Sequence, residues 1–127
     1  MTIAPEKTDT QVQLRLGGEW LALCSLSLLT PGRGVAALLP DGRQVAVFLG
    51  RDGRTYAIDN RDPFSGAQVL SRGLVGSSAG RPFVASPLLK QRFDLASGDC
   101  LDEESVSVTS YEVRLGTDLA VGSGSAA

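Results

Sequence analysis

The sequence predicts an all-β domain, an antiparallel β-sandwich or open barrel, and three observations carry that expectation. Short apolar segments recur about every 8–12 residues with turn residues between them, the spacing of sandwiches and barrels. Pro40-Asp41-Gly42, set between Val35–Leu39 and Arg43–Leu49, is a strong hairpin signal. No segment sustains helical spacing for three turns. With 127 residues the chain is one domain by length, large enough to bury a core without staples.

The elements follow in order. Residues 1–15 lack apolar periodicity and are expected to carry no regular structure. Trp20–Cys24 reads as the first strand, and Thr30-Pro31-Gly32 marks a turn inside Leu26–Gly34. The Val35–Leu39 and Arg43–Leu49 hairpin comes next. Arg51-Asp52-Gly53 turns the chain into Thr55–Asp59, where Tyr56 and Ile58 alternate with other residues. Phe93–Leu95 and the turn Ala96-Ser97-Gly98-Asp99 lead into a final strand pair. There Val106 and Val108 share one face while Tyr111, Val113 and Leu115 have the opposite parity. A strand has period two, so the chain must bulge or break near Thr109-Ser110. Leu119 and Val121 are expected to close a domain spanning 16–121, and residues 122–127 are expected to form a flexible tail.

Composition excludes several function classes. The chain contains no histidine and its net charge is −2. A serine hydrolase built on Ser65, Ser71 or Ser86 would lack the usual base. A nucleic-acid module would want a basic surface with stacking aromatics, and aromatics are only 6% here. The longest apolar runs fall far short of the roughly 20 residues that span a bilayer. The N-terminal segment lacks the apolar core of a secretory signal, so a cytoplasmic location is expected. Cys24 and Cys100 have no metal-ligand spacing. Two reduced thiols are the expectation, with one disulfide as the alternative.

Charge is distributed unevenly. Residues 43–92 carry a local +5 and residues from 94 onward a local −6. Such a split either orients a partner or simply solvates strand faces.

Two loops stand out: Asn60-Arg61-Asp62-Pro63-Phe64-Ser65-Gly66-Ala67 and Ser86-Pro87-Leu88-Leu89-Lys90-Gln91-Arg92-Phe93, with Leu70-Ser71-Arg72-Gly73 between them. With the order of strands around them, they resemble the two ligand loops of a Rieske-type domain, over about residues 19–121. Such a domain holds a [2Fe–2S] centre with two Cys and two His. Here the four ligand positions are Asp62, Phe64, Ser86 and Leu89. Phe and Leu have no donor atom, and Ser and Asp are hard oxygen ligands poorly suited to a cluster. A working Rieske electron carrier is therefore excluded by chemistry.

The paired loops are similar to one branch in particular, the small subunits of assimilatory NAD(P)H-dependent nitrite reductase. That resemblance implies a Rieske-like sandwich with both loops converging at one end, and a non-catalytic, cluster-less accessory subunit holding no cofactor or metal. It implies a large subunit as partner, carrying FAD, a [4Fe–4S] cluster and sirohaem and reducing nitrite to ammonium in nitrate assimilation. The alternative is a cluster-free Rieske-like interaction module of another oxidoreductase complex.

Individual loop residues keep two readings. Phe64 is either a core aromatic closing the loops over the sheet or an exposed anchor for the large subunit. Arg61, Arg72 and Lys90, with Arg92 beside them, are either solvated charges or interface contacts. Pro63 and Pro87 stiffen the loops. Gly66 and Gly73 are expected to supply positive φ in turns. Asp59 and Asp62 are expected to cap loop amides.

Overall fold

The computed structural model describes residues 10–117 and is all-β, as the sequence predicts. Ten strands run β1 (Thr10–Leu16), β2 (Glu19–Ser25), β3 (Gly34–Leu38), β4 (Gln44–Leu49), β5 (Thr55–Asp59), β6 (Leu74–Ser78), β7 (Arg81–Ala85), β8 (Arg92–Asp94), β9 (Ser110–Tyr111) and β10 (Val113–Thr117). Single 3-10 turns occupy Leu26–Leu28 and Leu70–Arg72. All strand pairings are antiparallel, in three sheets of order β10-β1-β2, β3-β4-β5-β9 and β6-β7-β8.

The middle sheet is covered on both faces. Successive side chains of a strand point to opposite sides. On β4, Val45 and Val47 enter one core with Val12, Leu14, Leu39 and Ala57, against the first sheet. Ala46 and Phe48 enter the other with Ile58, Leu70, Val84 and Phe93, against the third sheet. This explains why Val45–Phe48 is an unbroken apolar run rather than an alternation: all four are buried. Each large side chain so buried contributes roughly 1.5–3 kcal/mol.

The hairpin at Pro40–Gly42 closes as expected, with Leu38 opposite Gln44 and Gly42 at φ 94°. The change of apolar parity near Thr109-Ser110 is also present. Val106 and Val108 pack in the core under the third sheet, whereas Tyr111 and Val113 pack in the other. The chain crosses from one face of the middle sheet to the other at that point. A buried-to-surface network fixes the crossing. Arg43, ion-paired to Asp41 at 2.9 Å, donates to Tyr111 Oη at 3.0 Å, and Tyr111 donates to Asp59 Oδ1 at 2.7 Å. Burial, and next the bond to Asp59, push the Tyr111 hydroxyl up to about 12.

Three expectations are corrected. Residues 10–15 belong to β1, because Val12, Leu14 and Leu16 alternate into the core and β1 pairs on both sides, with β2 and β10. The final strands are not a pair: β9 adds to β5 and β10 adds to β1. The β6–β7 hairpin, turning at Ala79-Gly80, lies where no strand was expected. The expectations for residues 1–9, for Leu119 and Val121, and for the tail 122–127 lie outside the described residues. Among the described residues, no helix is long and apolar enough to cross a membrane.

Candidate functional site

The two singled-out loops meet at one end of the domain. The first leaves β5 and returns through the 3-10 turn at Leu70–Arg72; the second connects β7 to β8. Asn60 anchors the first: its carbonyl accepts from Leu70 N, its Oδ1 accepts from Ser71 N at 2.7 Å, and its Nδ2 donates to Gln44 Oε1 at 3.0 Å.

Both loops use one hydrogen-bond pattern. Asp62 N donates to Ala67 O at 2.8 Å, Gly66 N donates to Asp62 O at 2.7 Å, and Phe64 N donates to Asp62 Oδ1 at 2.8 Å. In the second loop Ser86 N donates to Gln91 O at 2.9 Å, Lys90 N to Ser86 O at 3.0 Å, and Leu88 N to Ser86 Oγ at 3.3 Å. The same three bonds recur where Asp94 N donates to Asp99 O, Gly98 N to Asp94 O, and Ala96 N to Asp94 Oδ1, each at 2.8 Å. The fifth residue of each turn has positive φ: Gly66 at 82°, Lys90 at 73° and Gly98 at 83°. Asp62 thus caps a loop amide as expected, and Asp59 does so more weakly, accepting from Thr109 N at 3.4 Å.

The first residues of the two turns are joined. Ser86 Oγ donates to Asp62 Oδ2 at 2.6 Å, and both residues are buried, at 1% and 0% exposure. A carboxylate oxygen accepting from a hydroxyl at this distance is a strong, charge-assisted hydrogen bond. It ties the loops to each other at the positions where two thiolates would hold iron. The other two positions, Phe64 and Leu89, offer no donor atom, and Leu89 is 50% exposed. This donor set does not fit a [2Fe–2S] centre. Among the described residues, no group of three or more His, Cys, Asp or Glu lies close enough to hold a metal ion.

Phe64 divides between its two readings. Its ring packs on the buried Phe93, with centroids 6.2 Å apart and planes tilted by 47°, yet it remains 36% exposed. Leu88 is 51% exposed, so three apolar side chains stand at the loop tips. The sequence reading passed over Leu88, although Pro87 and the paired leucines after it are a visible sign of a loop tip. Arg61, Arg72 and Lys90 are exposed and hold no carboxylate among the described residues. Arg92 is different: its guanidinium grips Asp102, with Nη2 to Oδ1 at 2.8 Å, and lies over Phe83. It is an internal strut rather than part of a cationic tip.

Gly66 has the expected positive φ, but Gly73 does not; its φ is −76°. Gly73 is required by close approach, since a Cβ there would collide with the Ala85 carbonyl and lie 2.6 Å from Val84 Cγ2. Cys24 and Cys100 are both free thiols in separate cores, as expected, and burial raises the Cys24 thiol.

Comparison with known proteins agrees with this geometry. The sequence profile of the Rieske-like [2Fe-2S] domain matches residues 19–121. The nitrite reductase (NADH) small subunit of Salmonella typhimurium is 45% identical over 98 residues, covering 76% of this chain and 90% of that protein. A nitrite reductase [NAD(P)H] large subunit of Klebsiella oxytoca is 42% identical over 96 residues, covering 76% of this chain but 10% of that one. The crystal structure of an NADH-dependent nitrite reductase small subunit from Mycobacterium tuberculosis superposes with a TM-score of 0.70 at 48% identity, covering 83% of this chain and 86% of that one. From its loops, its sheets and these relatives together, the chain belongs to the Rieske-like domain family, among the nitrite reductase (NADH) small subunits.

Proposed function

We propose that the chain is a cluster-less, non-catalytic small subunit of a cytoplasmic NAD(P)H-dependent nitrite reductase, serving nitrate assimilation by supporting a large subunit that reduces nitrite to ammonium. FAD, the [4Fe–4S] cluster and sirohaem belong to that large subunit in this reading. The chain's own part is to bind and orient, with no electron passing through it.

The observation that carries the reading is the direct bond between Asp62 and Ser86. It joins the loops at two of the four ligand positions and leaves Phe64, Leu88 and Leu89 at their tips. An apolar group rimmed by Arg61, Arg72 and Lys90 has the anatomy of a specific interface. The Klebsiella relative supports the pairing, because a segment like this chain occupies a tenth of a large subunit's own length.

Reconstitution tests the proposal. Nitrite-dependent oxidation of NAD(P)H by the purified large subunit is compared with and without this chain, beside co-elution on size exclusion. The expected result is a complex and a gain in activity on adding the chain. Phe64→Ala should weaken association by about 2 kcal/mol, and Arg61→Glu should slow it in a salt-dependent way. Circular dichroism runs alongside, since losing the Phe64–Phe93 contact also costs the fold about 1 kcal/mol. If both variants fold and still support full activity and co-elution, the loop tips are not the docking face.

A further inference from the structure

The arginines of this protein fall into two groups. Arg15, Arg43, Arg54, Arg81 and Arg92 each hold a carboxylate within 4.0 Å, on Glu112, Asp41, Asp52, Asp94 and Asp102. Arg33 and Arg72, like Arg51, Arg61, Arg114 and Lys90, hold none among the described residues, and both are exposed. Arg33 lies far from Arg72 in sequence, but the fold brings them together. A Cβ on Gly34 would lie 2.6 Å from the Ser71 carbonyl, so the two backbones touch and the arginines beside them flank one groove.

That groove has a volume of about 350 Å³ and is lined by Arg33, Gly34, Ser71, Arg72, Gly73 and Leu74. The glycines keep its floor low. Ser71 is 8% exposed; its amide is held by Asn60, while its hydroxyl makes no hydrogen bond among the described residues. Leu74, 77% exposed, supplies an apolar rim. The groove adjoins the first loop, because Asn60, which holds Ser71, is the residue before Arg61.

We infer that this groove receives a carboxylate side chain from an acidic segment of the partner subunit. The inference rests on the docking role proposed above and names the chemistry of what docks. Two guanidinium-bearing side chains flanking one small groove match a carboxylate, whose two oxygens can accept from both, with the Ser71 hydroxyl as a further donor. A protein carboxylate fits better than nucleic acid. The groove has no aromatic residue for base stacking, and the chain as a whole is acidic, with a net charge of −2.

The test measures binding of the full chain to the purified large subunit by biolayer interferometry at low and moderate salt. Wild type, Arg33→Glu, Arg72→Glu and the milder Arg33→Gln and Arg72→Gln are compared with Arg51→Glu, an exposed arginine on the β4–β5 turn. Thermal melts confirm that each variant folds. The groove reversals should raise Kd about tenfold or more, as loss of a hydrogen-bonded charge pair does, and flatten the salt dependence. The Gln variants should fall between, and Arg51→Glu should bind as wild type does. Wild-type affinity in the Arg33 and Arg72 variants overturns the carboxylate groove and leaves the docking reading standing. No binding by wild type overturns the docking reading itself. Retention of a labelled oligonucleotide by wild type and its loss in Arg33→Glu would assign the groove to phosphate instead.

Discussion

Ser86 Oγ donates a 2.6 Å hydrogen bond to Asp62 Oδ2 between the first residues of two turns in separate loops, out of contact with solvent. In a Rieske centre the corresponding residues meet through iron; here they meet directly. The bond has a stability consequence that surface ion pairs lack. Ser86→Ala would leave a buried carboxylate oxygen without its donor, which costs about 1–3 kcal/mol. Urea denaturation should show that loss. A Ser86→Ala variant as stable as wild type would mean that the loops are held by something else.

The shared turn pattern predicts an ordering of substitutions. Gly66→Ala puts a Cβ at φ 82° with Arg61 Nη2 at an ordinary contact distance of 3.4 Å, and should cost about 1 kcal/mol. Gly98→Ala has the same φ problem and drives its Cβ into the Val108 carbonyl, so it should cost clearly more. Lys90→Gly relieves a left-handed residue at the equivalent position and should be neutral to stabilising by up to about 1 kcal/mol. Melting temperatures in the order Gly98→Ala, Gly66→Ala, wild type, Lys90→Gly would agree; Lys90→Gly as the least stable would not.

Acid should act through Asp94. Burial alone would raise its carboxyl, but the Ser97 and Ala96 amides and Arg81, at 2.6 Å, outweigh burial and bring it below the ordinary value. A carboxyl depressed in the folded state stabilises above its unfolded pKa of about 3.9 and ceases to as pH falls through the folded value. Stability measured downward from pH 5 should therefore fall, and Asp94→Asn should flatten that slope while lowering stability at pH 7. An unchanged slope in Asp94→Asn would place the acid sensitivity elsewhere.

Base should act through Tyr111. Its hydroxyl, pushed up to about 12 by burial and by Asp59, stays protonated in the folded state past the ordinary value of 10.0. The stabilisation is complete below pH 10 and lost as pH rises towards 12. Absorbance titration at alkaline pH should show a tyrosine ionising late, and Asp59→Asn should bring it earlier. Ionisation of both tyrosines near 10 in wild type would contradict the Tyr111–Asp59 bond.

What could be read in the sequence followed physical logic. The Pro40–Gly42 hairpin was visible because its turn chemistry and flanking apolar runs agree. The parity change at Thr109-Ser110 was visible because a strand cannot switch faces without a break. The β6–β7 hairpin was not, since Leu74 points to solvent and Gly76 and Ser77 carry little apolar signal. In β1 the alternation of Val12, Leu14 and Leu16 was there to be read, but the buried Gln13 and flanking polar residues mask it; Gln13 is held by Arg114 at 2.7 Å, over Trp20. The mismatched ligand positions were plain from residue type alone. That Asp62 and Ser86 bond to each other, and that Arg33 and Arg72 line one groove, depends on loop convergence and on a backbone contact at Gly34, which no local pattern encodes.

If these loops hold each other in place of iron, the purified chain carries no cluster, and metal analysis decides this. The chain would be produced with iron–sulfur assembly machinery, purified anaerobically, and assayed for iron, acid-labile sulfide and visible absorbance. The expected product is a colourless protein with no stoichiometric iron or sulfide. Two irons and two sulfides per chain, the content of a [2Fe–2S] centre, would contradict it.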